Sequence, residues 1–319
     1  MATAPSTNAA PSFLSQATSG IIKQPPMLLI YGPEGEGKTQ LAAEAPTPIF
    51  IQGEKGSGSH NVARFPAPKK WEDVLIQAKE LVDNEHPYKS LVIDTVDALE
   101  PLVHSHICKA QNVKTIELAS GGYGKGFGEA VEEFRRLFDV LEMVRAKGIQ
   151  PIILAHSKAL EFNDPAASAP YMKYQVALQD AKGYSAANFW KNNVDAMLFL
   201  NRDITVGGKD KGARGFDDGT RYLFTERRPA WDAKNRFGLP EKIMLPQGGS
   251  WEALQEALDF SSADDPDTLI RQIKALSAQM ADPAKKATVT QRLKEYGKDA
   301  VQLKSLKGKI QTILGDQAD

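Results

Sequence analysis

Gly32-Pro33-Glu34-Gly35-Glu36-Gly37-Lys38-Thr39 sets three glycines ahead of an adjacent lysine and hydroxyl. A polyphosphate needs that combination. Glycines let backbone N–H groups wrap the anion closely, a lysine reaches its terminal phosphates, and a hydroxyl ligates the accompanying metal ion. The spacing predicts binding of ATP with Mg²⁺ along Gly32 to Gln40, with Lys38 on the β- and γ-phosphates and Thr39 on the metal.

Hydrolysis asks for more. A second acid must hold the metal through water, and Asp94, directly after the apolar Leu91-Val92-Ile93, fits that role. The next residue is Thr95, so the carboxylate that activates the attacking water must come from elsewhere. Glu54, just beyond a second apolar run, is expected at the same sheet edge and is the candidate general base. His156 ends a further apolar run, where a polar side chain could sense the γ-phosphate and pass that information to the following loop. Late in the chain, Arg227-Arg228 precede Trp231-Asp232-Ala233-Lys234-Asn235-Arg236. These cations could act as fingers on a neighbouring subunit's phosphate or simply be solvated, and the residues themselves leave both readings open. His104, His106 and Cys108 alternate on an expected helix with no fourth ligand near them, which argues against zinc.

The elements that must position these groups are legible as apolar runs. Residues 27–31, 48–51, 91–94 and 151–155 are short enough and apolar enough to be strands buried on both faces, and 194–200 reads as a fifth. Helical patterns intervene at 38–44, 71–82 and 131–147. Alternation of this kind predicts an α/β fold with a mostly parallel central sheet covered on both sides. Residues 112–127 and 157–185 read as long irregular loops, a length usually reserved for function. Turn signals at Gly207-Gly208 and Asp218-Gly219 suggest hairpins. Asp264-Asp265-Pro266 opens a helical, lysine-rich end. The expected organisation is a disordered tail over 1–24, an ATPase core over 25–260 and a small C-terminal helical appendage over 261–319.

Composition narrows the setting. The chain of 319 residues carries a net charge of −1, so any nucleic-acid contact must come from local patches. Residues 202–242 hold ten Lys/Arg against seven Asp/Glu, and residues 285–309 hold eight against two, making the C-terminal end the more basic. With Cys108 the single cysteine, no intrachain disulfide can form, and a reducing cytoplasm is expected. No run is long enough to span a bilayer, so no membrane association is expected.

Taken in order, Gly32 to Thr39, Glu54, Leu91-Val92-Ile93-Asp94-Thr95, Tyr123-Gly124-Lys125-Gly126-Phe127, Leu154-Ala155-His156 and Ala233-Lys234-Asn235-Arg236 resemble the RecA-like P-loop ATPases. The likeness covers about residues 27–245 and is to the compact bacteriophage single-strand annealing proteins, often labelled phage AAA-family ATPases. It implies a homo-oligomer, ring or filament, that hydrolyses ATP with DNA stimulation, binds and anneals single-stranded DNA, and works beside a single-strand DNA-binding protein. It also implies that Glu54 is the catalytic glutamate, that His156 takes the sensor position held by glutamine in RecA, and that Lys234 and Arg236 act across the subunit interface. Phage encoding would put the protein in the host bacterial cytoplasm. The two long loops would line the DNA channel, with Lys125, Lys158 and Lys173 on phosphates and Tyr171 and Tyr174 offering stacking faces. Two rival readings are a phage NTPase that remodels or loads a replication protein complex without gripping DNA, and a nucleotide-gated binding module with negligible turnover.

Overall fold

The computed structural model describes residues 17, 24–54, 56–181, 183–203, 205–207, 214–216, 219–261, 266–280, 282–297 and 299–315. All of the expected tail except residues 17 and 24 lies outside them, as do Gly208, Asp218, Asp264 and Asp265.

Leu28 to Gly32 forms strand β1 (Leu28–Gly32), and every one of its residues is buried. A strand with no solvent face must be covered twice, and the order of elements shows how. After β1 come α1 (Lys38–Ala43), β2 (Pro48–Gln52), β3 (Ala63–Arg64), α2 (Trp71–Asp83), β4 (Ser90–Asp94), α3 (Val96–Gln111) and α4 (Lys125–Ala146). Next are β5 (Gln150–Phe162), β6 (Tyr171–Val176), β7 (Asp180–Ala181), β8 (Tyr184–Ser185), α5 (Ala186–Asn193) and β9 (Ala196–Arg202). The chain continues through β10 (Thr205–Gly207), β11 (Arg214–Phe216), β12 (Arg221–Phe224), β13 (Lys242–Leu245) and α6 (Ser250–Ser261). Three helices follow, α7 (Pro266–Gln279), α8 (Pro283–Tyr296) and α9 (Ala300–Gly315).

Among the described residues the main sheet runs β13-β12-β9-β1-β5-β4-β2-β3, with β6 added to β5. Pairings from β9 through β3 are parallel, whereas β12, β13 and β6 run antiparallel. Successive residues of a strand point to opposite faces, so Leu28 and Ile30 enter one core cluster and Leu29 and Tyr31 the other. Helices α2 to α5 cover the second face, and α1 with α6 covers the first. This is the α/β, mostly parallel architecture expected from the alternating runs. Helices α7, α8 and α9 bury a third, separate cluster built on Leu269, Ile273, Leu303 and Ile310. No described helix is long and apolar enough to cross a membrane.

Two expectations change. Residues 157–185 are not one loop: β5 continues to Phe162 and β6 returns along it, pairing Ser157 with Val176 through Phe162 with Tyr171. The exposed outer end of β5 mixes polar and apolar residues, which hides its strand character from a search for buried runs. Likewise α4 begins at Lys125, taking Gly126 and Phe127 out of the stretch that read as loop while Gly121, Gly122 and Gly124 stay ahead of it, because Gly126 is buried and Phe127 packs edge-on against His104.

The parallel register sets the site. Gly32 lies opposite His156 and Gln52 opposite Asp94, so the C-terminal ends of β1, β5, β4 and β2 share one edge. Close strand packing there leaves no room at Gly32, where a Cβ would come within 2.1 Å of the Leu200 carbonyl oxygen. Gly32→Ala is expected to cost about 3 kcal/mol through backbone displacement, read as a lower urea midpoint.

Candidate nucleotide-binding and catalytic site

The turn between β1 and α1 carries the residues expected to bind phosphate, and Gly37 caps the helix in the left-handed conformation at φ 87°. Lys38 is only 6% exposed. Its Nζ donates to the carbonyls of Gly32 at 2.9 Å and Pro33 at 2.8 Å, both within the turn. Burial pushes its pKa down, while the carboxylates of Asp97, Glu54, Asp94 and Glu34 pull the other way.

Asp94 closes β4 at 1% exposure, and Thr39 Oγ1 donates to its Oδ2 at 2.9 Å. Burial raises the Asp94 carboxyl to about 6, opposed by the Thr39 hydrogen bond and by the positive charges of Lys38 and His156. Its second oxygen, Oδ1, is buried without a hydrogen-bond partner among the described residues. A hydroxyl beside a carboxylate with one oxygen unspoken for is a donor set suited to a hydrated Mg²⁺ ion.

Between these groups stands His156, because β5 lies between β1 and β4 in the sheet. Asp97, in the first turn of α3, accepts the His156 backbone N–H at 2.9 Å on Oδ1 and meets ring Nδ1 at 2.8 Å through Oδ2. The opposite ring nitrogen, Nε2, is 3.6 Å from Glu54 Oε1. The Asp97 bond raises the His156 pKa against the effect of burial. Burial pushes the Asp97 carboxyl up, but its bonds to His156 outweigh that and hold it below its ordinary value. Glu54 is tethered by its backbone, with Gly53 N–H and Glu54 N–H donating to the Asp94 carbonyl at 2.7 and 3.2 Å, while its side chain remains 37% exposed. Water can therefore reach this carboxylate.

Asp97 was not among the residues singled out by sequence. Its one signal is the acid three positions after Asp94, in Asp94-Thr95-Val96-Asp97, which reads equally well as an ordinary first-turn acid. Arg202 and Arg221 were also unforeseen. Arg202 Nε pairs with Glu36 Oε2 at 3.1 Å, and Arg221 Nη1 donates to the Glu36 carbonyl at 3.4 Å and to Gln40 Oε1 at 3.3 Å. A cleft of about 620 Å³ opens beside the turn, lined in part by Gly35, Gly37, Arg202, Thr220 and Met244.

Lys234 and Arg236 lie elsewhere. Lys234 pairs through its backbone with Met197 and donates from Nζ to the Asn192 carbonyl at 3.1 Å. Arg236 reaches Asp195 at 3.4 Å, the same carboxylate that accepts the Met27 N–H at 3.0 Å. Met27 precedes β1, so these cations stand at the opposite end of the strand from Gly32, about 16 Å of strand away. Neither can serve its own protomer's phosphate turn.

Of the residues expected on DNA, Lys173 needs correction. It is 3% exposed, pairs with Asp232 at 2.8 Å and lies over the Phe162 ring, so it is committed inside the protein. Tyr174 packs against Phe199 at 5.3 Å, Lys158 Nζ donates to the Leu178 carbonyl at 2.6 Å, and Tyr171 donates to Asp164 at 3.1 Å. Lys125 lines a cleft of about 1090 Å³ between α4 and α5.

These features accord with known sequences. The chain is similar to the SPbeta prophage-derived uncharacterized protein YorG of Bacillus subtilis (strain 168), 26% identical over 138 residues that make up 41% of each chain. A family model described as an AAA domain matches residues 24–237, from just before β1 to just past Arg236. That match spans well over half of the chain and contains the phosphate turn, Glu54, Asp94, Asp97 and His156, so the chain belongs to the AAA-domain family and carries a P-loop ATPase domain.

Proposed function

We propose that this protein hydrolyses ATP at a subunit interface of a homo-oligomer and uses nucleotide state to control binding and annealing of single-stranded DNA. The observation that carries the reading is continuity: His156 lies opposite Gly32, and the next residue, Ser157, begins the β5–β6 pairing. A contact made by His156 with a γ-phosphate would act at the root of that hairpin.

In this reading Lys38 leaves the Gly32 and Pro33 carbonyls for the β- and γ-phosphates, while Thr39 and Asp94 hold the metal. Bound Mg²⁺ would neutralise charge on the β- and γ-phosphate oxygens. Glu54 takes a proton from water as the water oxygen bonds to the γ-phosphorus and the bond to the ADP oxygen breaks. Lys234 and Arg236, remote from their own turn, are left to a neighbouring protomer. The prophage-derived relative favours a phage-encoded protein of the bacterial cytoplasm, beside a single-strand DNA-binding protein.

One observation favours a second reading, remodelling or loading of a protein complex without DNA: Lys173 and Tyr174 are occupied internally. Turnover measured with and without single-stranded DNA at two salt concentrations, with Lys38→Ala as the blank, separates the two. Stimulation that weakens as salt rises is expected, since phosphate contacts release counterions. Turnover indifferent to DNA would transfer the assignment to protein remodelling.

A further inference from the structure

We infer that Asp97 is a positioning residue for ATP hydrolysis, fixing the His156 ring so that Nε2 is shared between Glu54 and the γ-phosphate. The inference rests on the catalytic reading of Glu54 above. Asp97 grips His156 twice, at the backbone N–H and at Nδ1, with bonds of 2.9 and 2.8 Å. Two bonds to one carboxylate define both the place of the residue and the rotation of its ring. A proton on Nδ1 is thereby held toward Asp97, leaving Nε2 directed at Glu54 at 3.6 Å.

The consequence is an exchange of partners. Without a γ-phosphate, the Nε2 side of the ring faces the Glu54 carboxylate. An arriving γ-phosphate competes for Nε2, and Glu54 is released to its water at the moment the substrate is in place. Asp97 makes this directional, because a free ring would follow Glu54 instead of remaining between the two acceptors. The charged groups facing His156 are Asp97 from α3, Glu54 beyond β2, Lys38 from α1 and Asp94 from β4. Three of the four are acidic, which suits an imidazolium at this point.

The test uses the full chain. Nitrogen-15 NMR of the His156 ring in the parent should show Nδ1 protonated and a pKa above the ordinary histidine value. A mobile tautomer or a depressed pKa would overturn the inference without any mutation. Asp97→Asn should lower kcat by about 10–100-fold, as loss of a second-tier partner does, and shift KM for ATP by less than about threefold. It should also lower the His156 pKa and move the alkaline limb of the pH–rate profile to lower pH, with Asp97→Glu restoring part of each. A lower Tm with His156 titration and kcat unchanged would make Asp97 only a helix first-turn acid and sink the proposal. If Glu54→Gln kept full turnover while Asp97→Asn still altered His156, the base assignment would fall and the Asp97–His156 coupling would stand.

Discussion

Glu54→Gln is expected to lower kcat for ATP hydrolysis by about 10²–10⁴-fold, the range contributed by a positioned general base, with nucleotide affinity little changed. The amide keeps the volume of the side chain but cannot accept the proton of the attacking water. Because Gly53 and Glu54 are anchored through their N–H groups to the Asp94 carbonyl, the loop should hold its course in the variant. Lys38, which contacts the Gly32 and Pro33 carbonyls, keeps its partners as well. The loss should therefore appear in phosphate release and not in equilibrium binding of a fluorescent ATP analogue. Equal, near-zero rates for parent and variant would instead identify a nucleotide-gated binding module. Parent-like turnover in the variant would move the general base to another group.

Asp94→Asn should separate activity from stability. With Mg²⁺, turnover is expected to fall to the Lys38→Ala blank, since an amide is a poor partner for a hydrated hard cation. Without Mg²⁺, the same substitution should stabilise the fold. The carboxyl is raised from 3.8 to about 6 in the folded chain, so the native state holds this proton more tightly than the unfolded state does. Stability consequently falls as pH rises from about 4 to about 6, and the penalty is complete above that window. Its size is about 3 kcal/mol as an upper figure, from roughly 1.4 kcal/mol per pKa unit. Removing the charge should recover part of it at about pH 8 and little at about pH 4. Urea midpoints in EDTA at the two pH values test this, and a variant less stable than the parent at the higher pH would show that ionised Asp94 is better compensated than its burial implies.

The strand, turn and helix around Lys38 and the acid that closes β4 were readable from the chain itself because each signal is contiguous. A buried run, a glycine-rich turn and a helix follow one another around Lys38, and Leu91-Val92-Ile93 leads directly into Asp94. Local sterics and the burial of whole strands determine such features, and both are written in neighbouring residues. The alternation of strands and helices likewise implied a parallel sheet.

What tertiary structure decided is which distant groups meet. Asp97 and His156 are separated by 59 positions and touch only because β5 inserts between β1 and β4. Arg221 reaches the Glu36 carbonyl across 185 positions for a similar reason, the addition of β9 and then β12 beyond β1. Lys173 read as a surface cation until β6 folded along β5 and buried it against Asp232. Sequence order carries the chemistry available to each residue, whereas strand order selects its partners. Sheet packing, driven by burial on two faces, therefore turned one expected phosphate contact into an internal ion pair and one unremarked aspartate into the neighbour of His156.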